Sequence, residues 1–242
     1  MTMILLDRAF EVSDLRESAE LDLRNIGPKV WPTVLAECRP TVLSLYHITL
    51  SSLEGIERLN TVTRLTLEWA TKITDLAPVF ELHKLNSLSI FDMPKVRYLD
   101  GIEALTGLTE LKLSGNQGSG TPHLQLASIS SVTKLPGLTR FALLNARLDD
   151  DDLTPLVRCG NLKHLHLANM FERAQFAYLA KHLNGQLQEP ITAFSGSNVE
   201  CDTCGADKSM FTGRRMPFLC KTCDAARFDK YRSEFERLVR IA

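Results

Sequence analysis

The strongest constraint on this chain is a short pattern that returns at a near-constant step. Residues Leu108–Asn116 read L-x-x-L-x-L-x-x-N, with Leu111 and Leu113 alternating with Glu110, Lys112 and Ser114. Such period-2 alternation is that of a strand with one buried face. The same apolar-polar-apolar core stands at Leu21-Asp22-Leu23, Leu43-Ser44-Leu45, Leu65-Thr66-Leu67, Leu88-Ser89-Ile90, Phe141-Ala142-Leu143 and Leu165-His166-Leu167. Counted from the first apolar residue of each, the steps are 22, 22, 23, 23, 30 and 24 residues. A strand this short has no stability alone, so the copies must stack on one another.

Over roughly residues 18–195 the chain therefore resembles the leucine-rich-repeat proteins. The near-copies Leu53-Glu54-Gly55-Ile56-Glu57-Arg58-Leu59 and Leu99-Asp100-Gly101-Ile102-Glu103-Ala104-Leu105 resemble the compact, bacterial-type class of that family. The resemblance implies an α/β solenoid of about seven repeats. Its parallel sheet would line the concave side, with short helices or 3₁₀ turns on the convex side. One departure stands out: only Asn116 fills the family's asparagine position, where the other repeats have Ile26, Ile48, Ala70, Met93, Ala146 and Met170. Asn25, Asn145 and Asn169 sit one residue earlier and are candidates to replace it.

Around the repeats, residues 1–17 read as an N-terminal cap over the first open edge. Pro32 begins a short helix running to Cys38, since proline suits a first helical turn. Helices are expected over 151–157 and 174–183. The run Asp149–Asp152 lacks the alternating ligands of a calcium loop and fits the start of the first of these. The 30-residue step marks an insertion at Gly118–His123, either a tolerated surface loop or a rim loop that touches a partner. Ile191–Phe194 is expected as a last strand and Ser195–Asn198 as a linker.

The 44% apolar composition can fill a core, and 28 basic residues against 29 acidic ones argue against a general polyanion binder. No apolar run has the length of a bilayer span, and the first residues, with Asp7 and Arg8 so early, do not read as a signal peptide. The expectation is a cytoplasmic protein. Of its six cysteines, Cys38 and Cys159 sit in apolar segments and read as buried small side chains. Cys201, Cys204, Cys220 and Cys223 form C-x2-C-x15-C-x2-C. In a reducing compartment this spacing is a metal site, because two tight knuckles bring four thiolates to one ion. Zn²⁺ is the expected cofactor, with iron the alternative. Four thiolates leave no open coordination position, so the role is structural. The module, residues 196–242, resembles a zinc ribbon. It closes with a helix on which Phe228, Tyr231, Phe235 and Leu238 form one stripe, facing the module, the solenoid end or a partner.

If the strands stack, their polar positions form columns on the concave side. Tyr46, His47, Trp69 and Phe91 then come from three successive repeats, together with Arg64, Glu68 and Asp92. Aromatic side chains interleaved with charges have the composition of a protein-binding hot spot; the bland alternative is that the rings tuck under the neighbouring coil. Lys112 leads to a second patch of Arg140, His164 and His166, where two histidines alone make weak evidence for a metal.

No Gly-rich phosphate loop, G-x-S-x-G or H-E-x-x-H occurs. The function expected is non-enzymatic: holding a protein partner on the concave face, in a sharper form as an inhibitor or an immunity protein neutralising a toxin. A nucleic-acid-associated regulator acting through Arg214 and Arg215 of the ribbon is the alternative. Yet residues 196–242 carry nine basic against seven acidic side chains, too small a surplus for strong phosphate binding.

Overall fold

The computed structural model describes residues 1–116 and 124–242; the expected insertion loop at 118–123 lies outside them. Ten strands run parallel: β1 (Thr2–Leu5), β2 (Glu20–Ile26), β3 (Val42–Ile48), β4 (Arg64–Glu68), β5 (Ser87–Phe91), β6 (Glu110–Ser114), β7 (Leu124–Leu126), β8 (Arg140–Leu144), β9 (Ala146–Leu148) and β10 (His164–Leu167). Eight of them form one sheet in the order β1-β2-β3-β4-β5-β6-β8-β10, while β7 and β9 pair separately. The chain is the expected solenoid, one coil per repeat.

The register follows the buried residues. Leu21, Leu43, Leu65, Leu88, Leu111, Phe141 and Leu165 pair side by side across the sheet. All but Leu165 are at most 1% exposed. A one-residue slip would turn this whole column to water, at about 2 kcal/mol per side chain, so the register is tightly fixed. One continuous apolar core results, running from Ile4 to Ala193 and taking in Phe235.

A second ladder holds the coils at their corners. Two residues before each buried leucine, the backbone N–H bonds the carbonyl of the coil before. Thr41 donates to Ala19, Thr63 to Thr41, Thr109 to Asn86 and Thr139 to Thr109, each at 2.8–2.9 Å. The four hydroxyls donate to the same carbonyls at 2.9–3.1 Å. Threonine recurs there because its short branched side chain suits extended backbone and reaches the adjacent acceptor.

The N-terminal segment does more than cover an edge. β1 pairs in register with β2, placing Ile4 beside Leu23, and α1 (Val12–Glu17) buries Leu15 behind it. It is a short coil in its own right. The convex side carries α2 (Trp31–Glu37), with proline in its first turn as expected, α3 (Ala77–Phe80) and 3₁₀ turns at Ile56–Arg58, Ile102–Ala104, Ser130–Lys134 and Thr154–Arg158. The expected helix over 151–157 is therefore only 3₁₀. Asp152 starts it by accepting the Thr154 N–H at 2.8 Å. α4 (Arg173–Leu183) is a full helix, as read from the sequence.

The last coil leads into a different layer. Residues 195–198, expected as a linker, instead belong to β11 (Phe194–Glu200). This strand runs antiparallel to β12 (Asp207–Phe211), which pairs with β13 (Phe218–Leu219). Ile191, Thr192 and Ala193, expected in a last strand, lie outside any strand, and only Phe194 of that stretch is in one. Backbone hydrogen bonds make this hairpin, so its Gly and Ser content does not prevent it. α5 (Ala225–Ile241) closes the chain.

Gly55 and Gly101 occupy equivalent turns with φ of +90° and +92°, a region costly for residues with a Cβ. At Gly101 an added Cβ meets only Phe80 at 3.4 Å, whereas at Gly55 it would lie 2.5 Å from the buried Leu35. Gly101→Ala should cost about 1–2 kcal/mol in urea unfolding, and Gly55→Ala should cost more by at least about 1 kcal/mol, because Leu35 must also move.

Candidate functional site

Two places gather chemically informative side chains: the open face of the sheet and the cysteine module at its end.

On the open face, Tyr46, Glu68, Phe91 and Ser114 are register partners on adjacent strands. The next position has left-handed backbone in five of the coils, with φ of 62° at Asn25, 56° at His47, 55° at Trp69, 49° at Asp92 and 42° at Asn145. Asn and Asp adopt this conformation readily; for a tryptophan it is an outlier. The left-handed turn swings these side chains along the rim, where they bond across coils. Asn25 donates to Asp7 Oδ1 at 2.8 Å and its carbonyl faces His47 Nδ1 at 2.7 Å. Asn116 donates to Asp92 Oδ2 at 3.2 Å, and Asn145 donates to the Asn116 carbonyl. Asn25 and Asn145 thus bridge coils, while Ile26, Ile48, Ala70, Met93 and Ala146 are buried as packing in the family's asparagine position.

The three aromatic residues come together. Tyr46 and Trp69 have ring centroids 5.7 Å apart, and His47 stacks on Trp69 at 4.2 Å. Trp69 is 39% exposed, so it is not tucked beneath a coil, and Tyr46 and Phe91 are half-buried. With Glu68, Asp92 and Ser114–Asn116 they line a cavity of about 600 Å³. Arg64 reaches instead toward Glu20, at 3.8 Å. The Lys112 ammonium sits over the Phe91 ring, 4.8 Å from its centroid. Lys112, Arg140, His164 and His166 line a separate shallow depression. Of its two histidines, His164 faces Glu189 at 3.0 Å, a carboxylate partner that sequence spacing did not reveal.

In the terminal module the four cysteine sulfurs all lie within 4.8 Å of one another, with Cys204 and Cys220 at 3.6 Å. Sulfurs around one tetrahedral ion with bonds of about 2.3 Å stand about 3.8 Å apart, so the donor set fits a metal ion. Gly205, with φ of +70°, closes the first knuckle by donating to the Cys201 carbonyl at 2.8 Å. Asp224 closes the second by accepting the Cys220 N–H at 2.9 Å. The Thr203 and Cys204 backbone N–H groups pull the Cys201 thiol down to about 6, while hydrogen bonding with Cys204, then burial, pushes Cys223 up to about 12. Four thiolates repel one another unless a cation stands among them. Cys38 and Cys159 are buried as expected, their thiols pushed up to about 12 and about 11 by desolvation.

The module is docked on the solenoid. Asn169 donates to the Phe211 carbonyl at 2.7 Å and accepts from the Gly213 N–H. Arg214 bridges Asp151 at 2.7 Å and Glu172 at 2.8 Å. Arg173, 8% exposed, lies over the rings of Tyr231 and Phe235, bonds Glu234 at 3.3 Å and donates to the Tyr231 carbonyl. The α5 stripe is divided: Phe228 and Tyr231 pack in the module, Phe235 and Leu238 on the solenoid core. Its packing therefore faces both the module and the solenoid end. Arg214 and Lys208, which is paired with Asp202 at 3.0 Å, are engaged internally rather than held out for phosphate.

Two outcomes follow for the docked module. Stripping metal with a chelator should lower the thermal midpoint and reduce helical circular dichroism as α5 loosens, and Cys220→Ser should reproduce both. Arg173→Ala should lower stability by about 1–3 kcal/mol, because it removes the stem packed under Tyr231 and Phe235 and leaves the Tyr231 carbonyl without its donor.

No known family profile matches the chain, and a search of curated proteins finds no relative. Among solved structures, an internalin (InlF) from Listeria monocytogenes superposes with a TM-score of 0.51 at 16% identity, over 70% of this chain and 47% of that one. The chain thus spans about half the length of that internalin. Internalin C2 from the same organism aligns at a TM-score of 0.43 and 21% identity, over 62% of this chain and 68% of that one. The leucine-rich-repeat domain of the type III effector XopL aligns at a TM-score of 0.43 and 18% identity, over 62% and 51%. At 16% identity the likeness to InlF speaks to architecture alone, and with the register and coil spacing described above it identifies the fold: this chain is a leucine-rich-repeat solenoid closed by a four-cysteine module.

Proposed function

We propose that this chain is a non-enzymatic binding module that holds a protein partner on its concave face. The observation that carries the reading is the cluster of Tyr46, Trp69 and Phe91 around one cavity, with an exposed tryptophan in strained backbone at its centre. Exposed aromatic side chains that converge are costly unless something covers them, and they dominate the energetics of protein interfaces. Strain of about 1–3 kcal/mol at a single residue is tolerated where the side chain has work to do. In its sharper form the reading is that occupation is the effect: the protein inhibits an enzyme, or neutralises a toxin as an immunity protein. Support for that form is chemical, since the face offers aromatic anchors for binding.

We assign the cysteine cluster to one structural Zn²⁺ that fixes the C-terminal lid of the solenoid, in a cytoplasmic setting whose reducing chemistry keeps thiols available. Nucleic-acid binding through the module is disfavoured by the internal pairing of Arg214 and Lys208.

Capture from native lysate with the full, metal-loaded chain tests the reading. A Tyr46→Ala, Trp69→Ala, Phe91→Ala variant should keep its circular dichroism and metal content and lose the captured protein by about a hundredfold or more, the weight of two or more hot spots. Retained capture would place recognition elsewhere on the molecule.

A further inference from the structure

The cavity between Tyr46, Trp69 and Phe91 also carries a charge pattern. Among the described residues, its only ionisable lining side chains besides the tyrosine are Glu68 and Asp92. Both are half-buried, and neither forms a salt bridge with any described residue. Asp92 accepts one hydrogen bond from the neutral Asn116 amide. The two cations nearest the cluster do not line the cavity. Arg24 lies over the Tyr46 ring, 5.0 Å from its centroid, and is held by Asp22 through Nε at 3.1 Å and Nη2 at 2.9 Å. Lys112 lies over Phe91. The ring cluster thus already draws two cations that do not line the cavity, while the described lining presents two carboxylates that form no salt bridge with a described residue.

We infer that this cavity is a receptor for a guanidinium group: an arginine side chain presented by the protein partner inserts between the aromatic rings and pairs with Glu68 and Asp92. This deepens, and rests on, the proposed binding role of the concave face. A half-buried carboxylate gains from a cation that replaces lost water, and a cation gains from aromatic faces beside it. Guanidinium suits the place better than ammonium, being planar, weakly hydrated and able to stack on a ring while bonding a carboxylate at its edge. The left-handed backbone at Trp69 fits this use. The other left-handed positions with a described cross-coil hydrogen bond, Asn25, His47, Asp92 and Asn145, spend their side chains holding the rim together, whereas Trp69 stacks on His47 and stands at the cavity.

The test uses N-acetyl-argininamide as the probe and N-acetyl-citrullinamide, its neutral near-isostere, as the control. Each is titrated into the ¹⁵N-labelled full-length, metal-loaded chain while the two tryptophan indole N–H signals are followed. The expected result is a saturable shift of the Trp69 signal with argininamide, none with citrullinamide, and affinity about tenfold weaker in a Glu68→Gln, Asp92→Asn double variant. Both changes are near-isosteric, and asparagine suits the left-handed position of Asp92, so the fold should survive. Equal response to the two probes, no response, or unchanged affinity in the double variant would overturn the inference. The two readings also separate. If capture of the partner requires the three aromatic residues while argininamide fails to bind, the guanidinium assignment falls and the binding face stands. If argininamide binds as expected while capture ignores the aromatic residues, the cavity takes guanidinium but not from the captured partner, and both the binding-face reading and the partner-arginine assignment fall.

Discussion

The structure depends on one interaction repeated: a buried leucine lying beside the same leucine of the next coil. From Leu21 to Phe141 this column is sealed from water, and each member is stabilising only because its neighbours cover it. Everything else inherits that register. The threonine ladder at the corners forms because the coils are already level, and each threonine hydroxyl then adds a second donor to a carbonyl that the backbone alone would half satisfy. The open face inherits it too. Residues that alternate with the leucines must stand in columns toward solvent, so side chains about 22 residues apart in sequence become neighbours.

The rim of that face is where local preference and stacking conflict. Five positions of the rim column have left-handed backbone, a conformation that Asn and Asp accept and bulky side chains resist. Asn25, Asp92 and Asn145 stand there, and so do His47 and Trp69. Burial of Leu67 and Ala70 on either side of the Glu68–Trp69 turn overrides the preference. The result is an indole held outward against His47 rather than folded inward. Strain, exposure and neighbouring aromatic faces coincide at one residue, and that coincidence singles out this part of the face.

Much of this was legible in the sequence, because burial has a period and periods survive in a string of letters. The strand columns, the convex turns with Gly55 and Gly101, the C-x2-C knuckles and the α4 helix were all readable from local pattern. What was not readable arises from contacts with no sequence period. Arg173 meets Tyr231 and Glu234, and Arg214 meets Asp151, across about 60 residues, so nothing nearby announces them. Residues 195–198 looked like a linker because glycine and serine are poor strand formers alone. Antiparallel pairing with β12 supplies the hydrogen bonds whatever the side chains, with an irregularity between Gly196 and Glu200. The N-terminal coil was underestimated because Thr2–Leu5 lacks a leucine pair, yet Ile4 continues the core beside Leu23. The threonine ladder did leave a signal, Thr41, Thr63, Thr109 and Thr139 each standing two residues before a buried column member.

The solenoid and its cysteine module share α5, which packs Phe228 and Tyr231 in one core and Phe235 and Leu238 in the other, and the aromatic cluster lies on the open face of the sheet. The most direct measurement is collisional quenching of tryptophan fluorescence by acrylamide, in the wild type and in single Trp31→Phe and Trp69→Phe variants. Trp31 is 8% exposed, with its indole N–H donating to Glu54 at 3.0 Å, whereas Trp69 is 39% exposed. The account predicts that Trp69, seen in the Trp31→Phe variant, emits to the red and is quenched several-fold more efficiently than Trp31. Quenching of Trp69 as weak as that of Trp31 would mean the indole lies under its neighbouring coil, and the open aromatic face would not exist.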